Sequence, residues 1–352
     1  MGHKQFKRDK VFIQQMVNFS NILIIKPGAI GDLLQLTPVI RALKCKYPHS
    51  RISLLVSSSA TASLFKFNPS VYETIVFEKK GKHRSLSALF GLWLQLRSAG
   101  YDLVLNFQRS NLKAWFLLSA AFPCSLLIYH KAKGRVVHAV VNHLETVAPL
   151  GIDASDLDLE LYTSADDDAY AEKLFASLNL AGKKVVALNP GASHPVNRWH
   201  TRNFALLVDR IEKELSARVL IIGGKGDLEL SRQIVTLTRN KPLVLTGNTD
   251  LLQLAAVLRN CDLLVSADTG PMHLATAVGT RVLALFGAAD PERTGPVGAG
   301  HRVIQAGAVQ CVPCRSRKCN NTLSMECMEK ITVDEVFTTV TEMLEMGICP
   351  KS

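Results

Sequence analysis

What most constrains the fold of this chain is a series of short apolar runs alternating with amphipathic stretches. The runs are Ile22 to Ile25, Ile52 to Val56, Thr74 to Phe77, Leu103 to Asn106, Val185 to Leu188, Val219 to Ile222, Leu243 to Leu245, Leu263 to Ser266 and Val282 to Phe286. Continuous apolar runs bounded by Gly, Pro and Asp are the pattern of strands buried on both faces, with the amphipathic stretches as covering helices. Parallel sheets follow, and the fold class is α/β.

The pattern breaks between about residues 151 and 168 into an acidic, irregular stretch, and a helix-like pattern resumes from Ala169 to Leu180. A chain of 352 residues is long enough for two domains with a core each. We therefore expect a basic N-terminal extension at 1–20, a Rossmann-like domain at 21–165 and a second at 166–352. The second carries a Cys-rich loop at 311–327 and a C-terminal helix. Two such halves facing a central cleft would place their post-strand turns where α/β folds bind ligands.

Composition narrows the partners. With 47% apolar and 20% charged residues the chain has the balance of a folded globular protein. A formal charge of +11 predicts an anionic partner without separating nucleic acid, an acidic membrane surface and a phosphorylated small molecule. Three Trp and six Tyr, with no aromatic-basic platform and no zinc-finger spacing, argue against nucleic acid. The N-terminus lacks a sustained apolar h-region, so a cytosolic protein is expected. The most lipid-like segment, Ala114 to Ile128, is about 15 residues long and broken by Pro123, short of the roughly 20 that span a bilayer. It reads as a buried helix followed by a strand at Ser125 to Tyr129, with shallow insertion into a membrane face as the alternative.

Four post-strand loops carry candidate chemistry. In KPGAIGDLLQLTPV (26–39), Asp32 stands where a strand hands over to a helix. It either caps that helix or serves as a general base, and Lys26 points into the same region. The glycine spacing of GAIGD does not match a dinucleotide fingerprint, which disfavours a dehydrogenase. The second loop, NPGASHPVNRW (189–199), is a plain turn or a phosphate clamp built from Ser193 and the planar fork of Arg198, with a helix from Asn203 to Leu215 behind it. The third, GGKGD (223–227), is no more than a tight turn by itself. In the fourth, SADTGPMH (266–273), Thr269, Gly270 and Pro271 would open a helix whose free N–H groups suit a diphosphate. Asp268 either caps that helix or holds a ligand hydroxyl, and His273 is a ligand contact or a packed histidine.

Taken in order, KPGAIGDLLQLTPV, NPGASHPVNRWHTRNF, IIGGKGD and SADTGPMHLATAVGTRVLALFGAADPERTGPVG closely resemble the ADP-heptose:lipopolysaccharide heptosyltransferase family. The likeness runs from about Asn21 to Leu344. It implies a GT-B fold and an inverting transferase that takes heptose from ADP-heptose to Kdo of lipid A-Kdo or to the first core heptose. It further implies Asp32 as the base, Ser193, Arg198, Asp268, Thr269, Gly270 and His273 on the donor, and Asn106, Gln108 and His138, with Lys26, near the acceptor. No cofactor is implied for catalysis. The basic surface fits a peripheral enzyme at the cytosolic leaflet, whose acceptor is rich in carboxylate and phosphate.

Cys311, Cys314, Cys319 and Cys327 cluster in a basic loop. Their spacing suits a structural zinc or iron, with free thiols as the alternative and disulfides disfavoured in a cytosolic chain.

Overall fold

The computed structural model describes residues 18–78, 81–108 and 112–345, so most of the expected basic extension at 1–20 lies outside the described residues. The chain divides into two compact units, one up to Leu157 and one from Asp158. The division falls inside the acidic stretch, part of which is ordered. Asp166, Asp167 and Asp168 form the first turn of a helix, Ala165–Ser177, that starts earlier than its apolar pattern suggested. Ser164 Oγ accepts from the Asp167 N–H at 3.2 Å, and the Asp167 carboxylate accepts from the Ser164 N–H at 2.9 Å. This reciprocal cap satisfies two free N–H groups, and three carboxylates sit at the positive end of the helix dipole.

The first unit holds β1 (Asn21–Ile25), β2 (Arg51–Val56), β3 (Glu73–Val76), β4 (Leu103–Asn106) and β5 (Ser125–Ile128) in one sheet of order β3-β2-β1-β4-β5. Every pairing is parallel. Ile22 through Ile25 have no solvent exposure, as a central strand covered on both faces requires. Each such side chain contributes about 1.5–3 kcal/mol relative to exposure. Helix Leu86–Ser98 buries Leu89, Leu92 and Leu96 against Leu23, Ile25 and Val104 of this sheet. The lipid-like segment becomes the helix Leu112–Ser119 followed by β5.

The second unit holds β6 (Val185–Asn189), β7 (Arg218–Ile221), β8 (Leu243–Val244), β9 (Leu263–Ala267), β10 (Arg281–Phe286) and β11 (Arg302–Gln305), ordered β11-β10-β9-β6-β7-β8 and again parallel. Sequence reading missed β11. Only Ile304 of its four residues is buried, because an edge strand needs no continuous apolar run. Helix Thr201–Glu214, beginning two residues before the expected Asn203, packs Phe204, Leu207, Val208 and Ile211 into a core shared with Val336, Val340 and Met343 of the C-terminal helix Val333–Glu345. Among the described residues no helix is long and apolar enough to cross a membrane.

In each sheet the chain reverses its direction of travel once, at β1/β4 and at β6/β9. Loops leaving the carboxyl ends of such a pair diverge to opposite faces and leave room for a ligand. Three of the four candidate loops leave these strands.

Candidate active site

In the first unit the loop after β1 turns tightly, with the Gly28 N–H bonded to the Lys26 carbonyl at 2.8 Å. A Cβ on Gly28 would lie 2.8 Å from Asp32 Cβ, so glycine is required for the carboxylate to fold back over the turn. Asp32 is the third residue of the short helix Ile30–Leu34, inside its first turn and not at its N-cap. Its Oδ2 accepts from the Ala29 N–H at 3.3 Å, and its Oδ1 lies 3.6 Å from Lys26 Nζ. Asp32 thus takes part in capping from the third helical position and not from the N-cap itself. The cap bond is long, and the side chain is 51% exposed.

Lys26 is 12% exposed, and its ammonium sits 3.4 Å from Nε2 of His143, a residue that sequence reading did not single out. His143 belongs to helix Ala139–Val147 and is buried, with Nδ1 3.2 Å from the Gln35 carbonyl. Burial, and next the Lys26 charge, push its pKa down to about 4, so the ring is neutral. A neutral ring donating from Nδ1 to Gln35 has its Nε2 lone pair free to accept from Lys26. Phe107 and Tyr129 wall the same ring, with centroids 5.3 and 5.4 Å away.

Asn106 ends β4 fully buried, and its Oδ1 accepts from the Gln108 N–H at 2.9 Å. It shapes the turn that presents Gln108. His138 is the N-cap of its helix, with Nδ1 accepting from the Val140 N–H at 3.3 Å.

In the second unit Trp199 anchors the loop after β6. Its indole packs edge-on against Phe204 at 5.0 Å and donates to the Ile331 carbonyl at 2.9 Å. Arg198 is held between buried Asn197 and Trp199, and its Nε is buried with no hydrogen-bond partner among the described residues. Asn197 Oδ1 and His273 Nδ1 share that condition. Three orphaned polar atoms, two on the loop after β6 and one on the helix after β9, are what a polar ligand would satisfy. Ser193 stands exposed on the same loop.

The loop after β9 has Thr269 as N-cap, in extended conformation and with no side-chain cap bond, so Gly270 is the first helical residue. Pro271 has no N–H and the Met272 N–H bonds the Thr269 carbonyl at 3.1 Å, which leaves the N–H groups of Thr269 and Gly270 to face a ligand. Asp268 does not cap. It accepts from Thr294 Oγ1 at 3.0 Å and lies 3.8 Å from His273 Nε2.

The glycine-rich GGKGD loop has a structural partner. Asp227 Oδ2 accepts from the Gly224 N–H at 3.0 Å, and a Cβ on Gly191 would lie 2.6 Å from Asp227 Oδ1, so the two loops interlock. A cavity of about 270 Å³ gathers Asp268, His194 and Asn197 with Arg293, Arg315 and Arg317. The three arginines come from segments after β10 and β11, which no local motif connects to the earlier loops.

The four cysteines line one cavity, and burial followed by the neighbouring thiols raises the pKa of Cys327. Yet among the described residues no three His, Cys, Asp or Glu side chains are gathered closely enough to hold a metal ion.

Two all-parallel sheets with candidate groups at both reversal points define a GT-B-class α/β protein, and solved structures share that fold. The glycosyl transferase family 9 protein from Veillonella parvula DSM 2008 superposes with a TM-score of 0.83 at 24% identity, covering 94% of this chain and 98% of that one. The E. coli ADP-heptose lps heptosyltransferase II gives 0.74 at 22% identity, covering 92% and 98%. In sequence the chain is 29% identical over 280 residues to lipopolysaccharide heptosyltransferase 3 of Escherichia coli (strain K12), spanning 74% of this chain and 80% of that protein. Residues 89–324 match glycosyltransferase family 9 (heptosyltransferase), and the chain belongs to that family of transferases.

Proposed function

We propose that this glycosyltransferase moves heptose from ADP-heptose to the inner core of lipopolysaccharide, onto Kdo or the first heptose, with inversion at the anomeric carbon. The observation that carries the chemistry is Asp32, a half-exposed carboxylate at the carboxyl end of β1, 3.6 Å from Lys26. The substrate assignment is supported by the relatives, whose names specify heptose transfer to lipopolysaccharide.

In this reading Asp32 takes the proton of an acceptor hydroxyl as its oxygen attacks the anomeric carbon opposite the departing ADP, through an oxocarbenium-like transition state. One displacement inverts the configuration. Arg198 and the free N–H groups of Thr269 and Gly270 would stabilise the diphosphate as it gains charge, while Asp268 and His273 line the donor. Asn106 and His138 would support the acceptor side by shaping its loops, with Gln108 available for contact. No metal is assigned a step.

The protein is further proposed to work at the cytosolic face of the membrane, since its acceptor is lipid-linked. A structural zinc or iron at Cys311, Cys314, Cys319 and Cys327 stands as a separate proposal that would require the loop to close. Metal analysis of protein purified without chelator tests it: one equivalent, lost on Cys314→Ala, supports it, and none removes it.

Transfer is tested by incubating the protein with ADP-heptose and either lipid A-Kdo or heptosylated core acceptor, following ADP release and acceptor mass. The expected result is one added heptose, with Asp32→Asn reducing kcat by about 10²–10⁴ while still binding ADP-heptose. Turnover of other nucleotide sugars alone would overturn the donor assignment.

A further inference from the structure

Helix Leu86–Ser98 is apolar on both sides. Leu89, Leu92 and Leu96 face the core, while Leu86, Phe90 and Leu94, at the i, i+4, i+8 positions of another face, are 84%, 53% and 49% exposed. A helix apolar all round is normally covered on all sides. The exposed face continues onto helix Leu112–Ser119. The Phe90 ring stacks on Trp93 at 5.8 Å and 4°, Trp93 meets Phe116 at 6.4 Å, and its indole donates to Ser119 Oγ at 3.0 Å. Trp115 adds a ring that is 48% exposed, and Phe122, 49% exposed, follows that helix. A contiguous patch of this kind marks an interaction surface.

Charge indicates what covers it. Residues 79–144 contain ten Lys and Arg and a single acid, Asp102, so this stretch carries most of the +11 of the whole chain. Lys82 and Arg84 are exposed at the start of the helix, and Arg97, exposed near its end, donates to the Phe122 carbonyl. Aromatic and leucine side chains set among cations, with no acid between Glu78 and Asp102, match an anionic bilayer surface. Half-exposed Trp side chains suit the interfacial layer in particular. The helix also follows β3, so its N-terminal end lies at the carboxyl edge of the sheet, the edge that carries Lys26, Asp32 and Gln108.

We propose that the face formed by Leu86, Phe90, Leu94, Trp115 and Phe116, rimmed by Lys82, Arg84 and Arg97, docks onto an anionic phospholipid surface. This rests on the reading of a lipid-linked acceptor and names the surface that meets the membrane. Shallow burial of the side chains supplies the apolar part of the affinity, and the cations supply a salt-sensitive part.

The experiment is vesicle flotation of the full chain with phosphatidylcholine alone and with phosphatidylcholine containing phosphatidylglycerol, at low and high salt. The wild type should float with the anionic vesicles only, and less so at high salt. Leu86→Gln/Phe90→Gln/Leu94→Gln should weaken partitioning on the order of tenfold or more, and Lys82→Glu/Arg84→Glu should do likewise. Both variants should keep wild-type melting temperature and full turnover on a delipidated, water-soluble acceptor. That turnover separates failure of docking from failure of the transferase reading. The proposal is overturned if the wild type stays with the buffer at low salt, or if either variant floats like wild type. It is equally overturned if wild type is a dimer in solution that the triple variant dissociates, because a second copy would then be the occupant.

Discussion

Lys26 Nζ lies 3.4 Å from His143 Nε2 and 3.6 Å from Asp32 Oδ1, so one ammonium links a buried neutral imidazole to the half-exposed carboxylate after β1. The imidazole fixes where the charge sits, and the charge fixes the carboxylate. An ion pair with so exposed an acid adds little stability. Its consequence is positional.

Replacing Lys26 with Met should therefore lower kcat by about 10–10² while changing the melting temperature little, because misplacement of a base by a fraction of an ångström is costly to rate. Steady-state kinetics with thermal melts checks this. Unchanged kcat would remove Lys26 from the positioning of Asp32.

Acid should unfold the first unit through His143. Its pKa is about 4 in the folded chain and near 6.5 when unfolded, with Lys26, His138 and Asp32 as the charged or titratable neighbours. Between those values the unfolded state binds more protons, so stability is intact above about pH 6.5 and falls by roughly 3 kcal/mol as pH drops towards 4. Urea titrations across this range should show the loss in wild type and a flatter profile in His143→Gln.

If Arg198 faces the leaving diphosphate as proposed, Arg198→Ala should cut kcat/KM for the donor by about 10²–10³. Arg198→Lys should recover little, since the orphaned Nε is part of a planar fork that an ammonium does not reproduce. ADP binding measured by calorimetry should weaken in parallel. A wild-type ADP affinity in Arg198→Ala would place the diphosphate elsewhere.

Gly28→Ala sets a methyl against the Asp32 side chain, 2.8 Å from Cβ and 3.1 Å from Oδ2. The expected cost is about 1–3 kcal/mol of stability together with a loss of activity far larger than the thermal shift explains. A folded variant with wild-type kcat would show that Asp32 tolerates displacement.

Much of the architecture was legible locally. Ile22 to Ile25 announces a central strand because every residue is apolar, and the loops after β1, β6 and β9 announce themselves by Gly and Pro placed at strand-to-helix turns. Less was legible where signals compete. Asp166 to Asp168 looked like linker because acidity was weighed above the Ser164 cap, and β11 was missed because an edge strand buries only Ile304.

By itself, then, the sequence determined the α/β class, the parallel strands and the turns that carry Asp32, Arg198 and Thr269. Each of these depends on residues close together in the chain. Only the tertiary structure decided which distant residues serve them. His143 is 117 positions from the Lys26 it holds, Ile331 is 132 from the Trp199 that orients Arg198, and Thr294 is 26 from the Asp268 it bonds. Such partners carry no spacing signal, because strand order and packing bring them together.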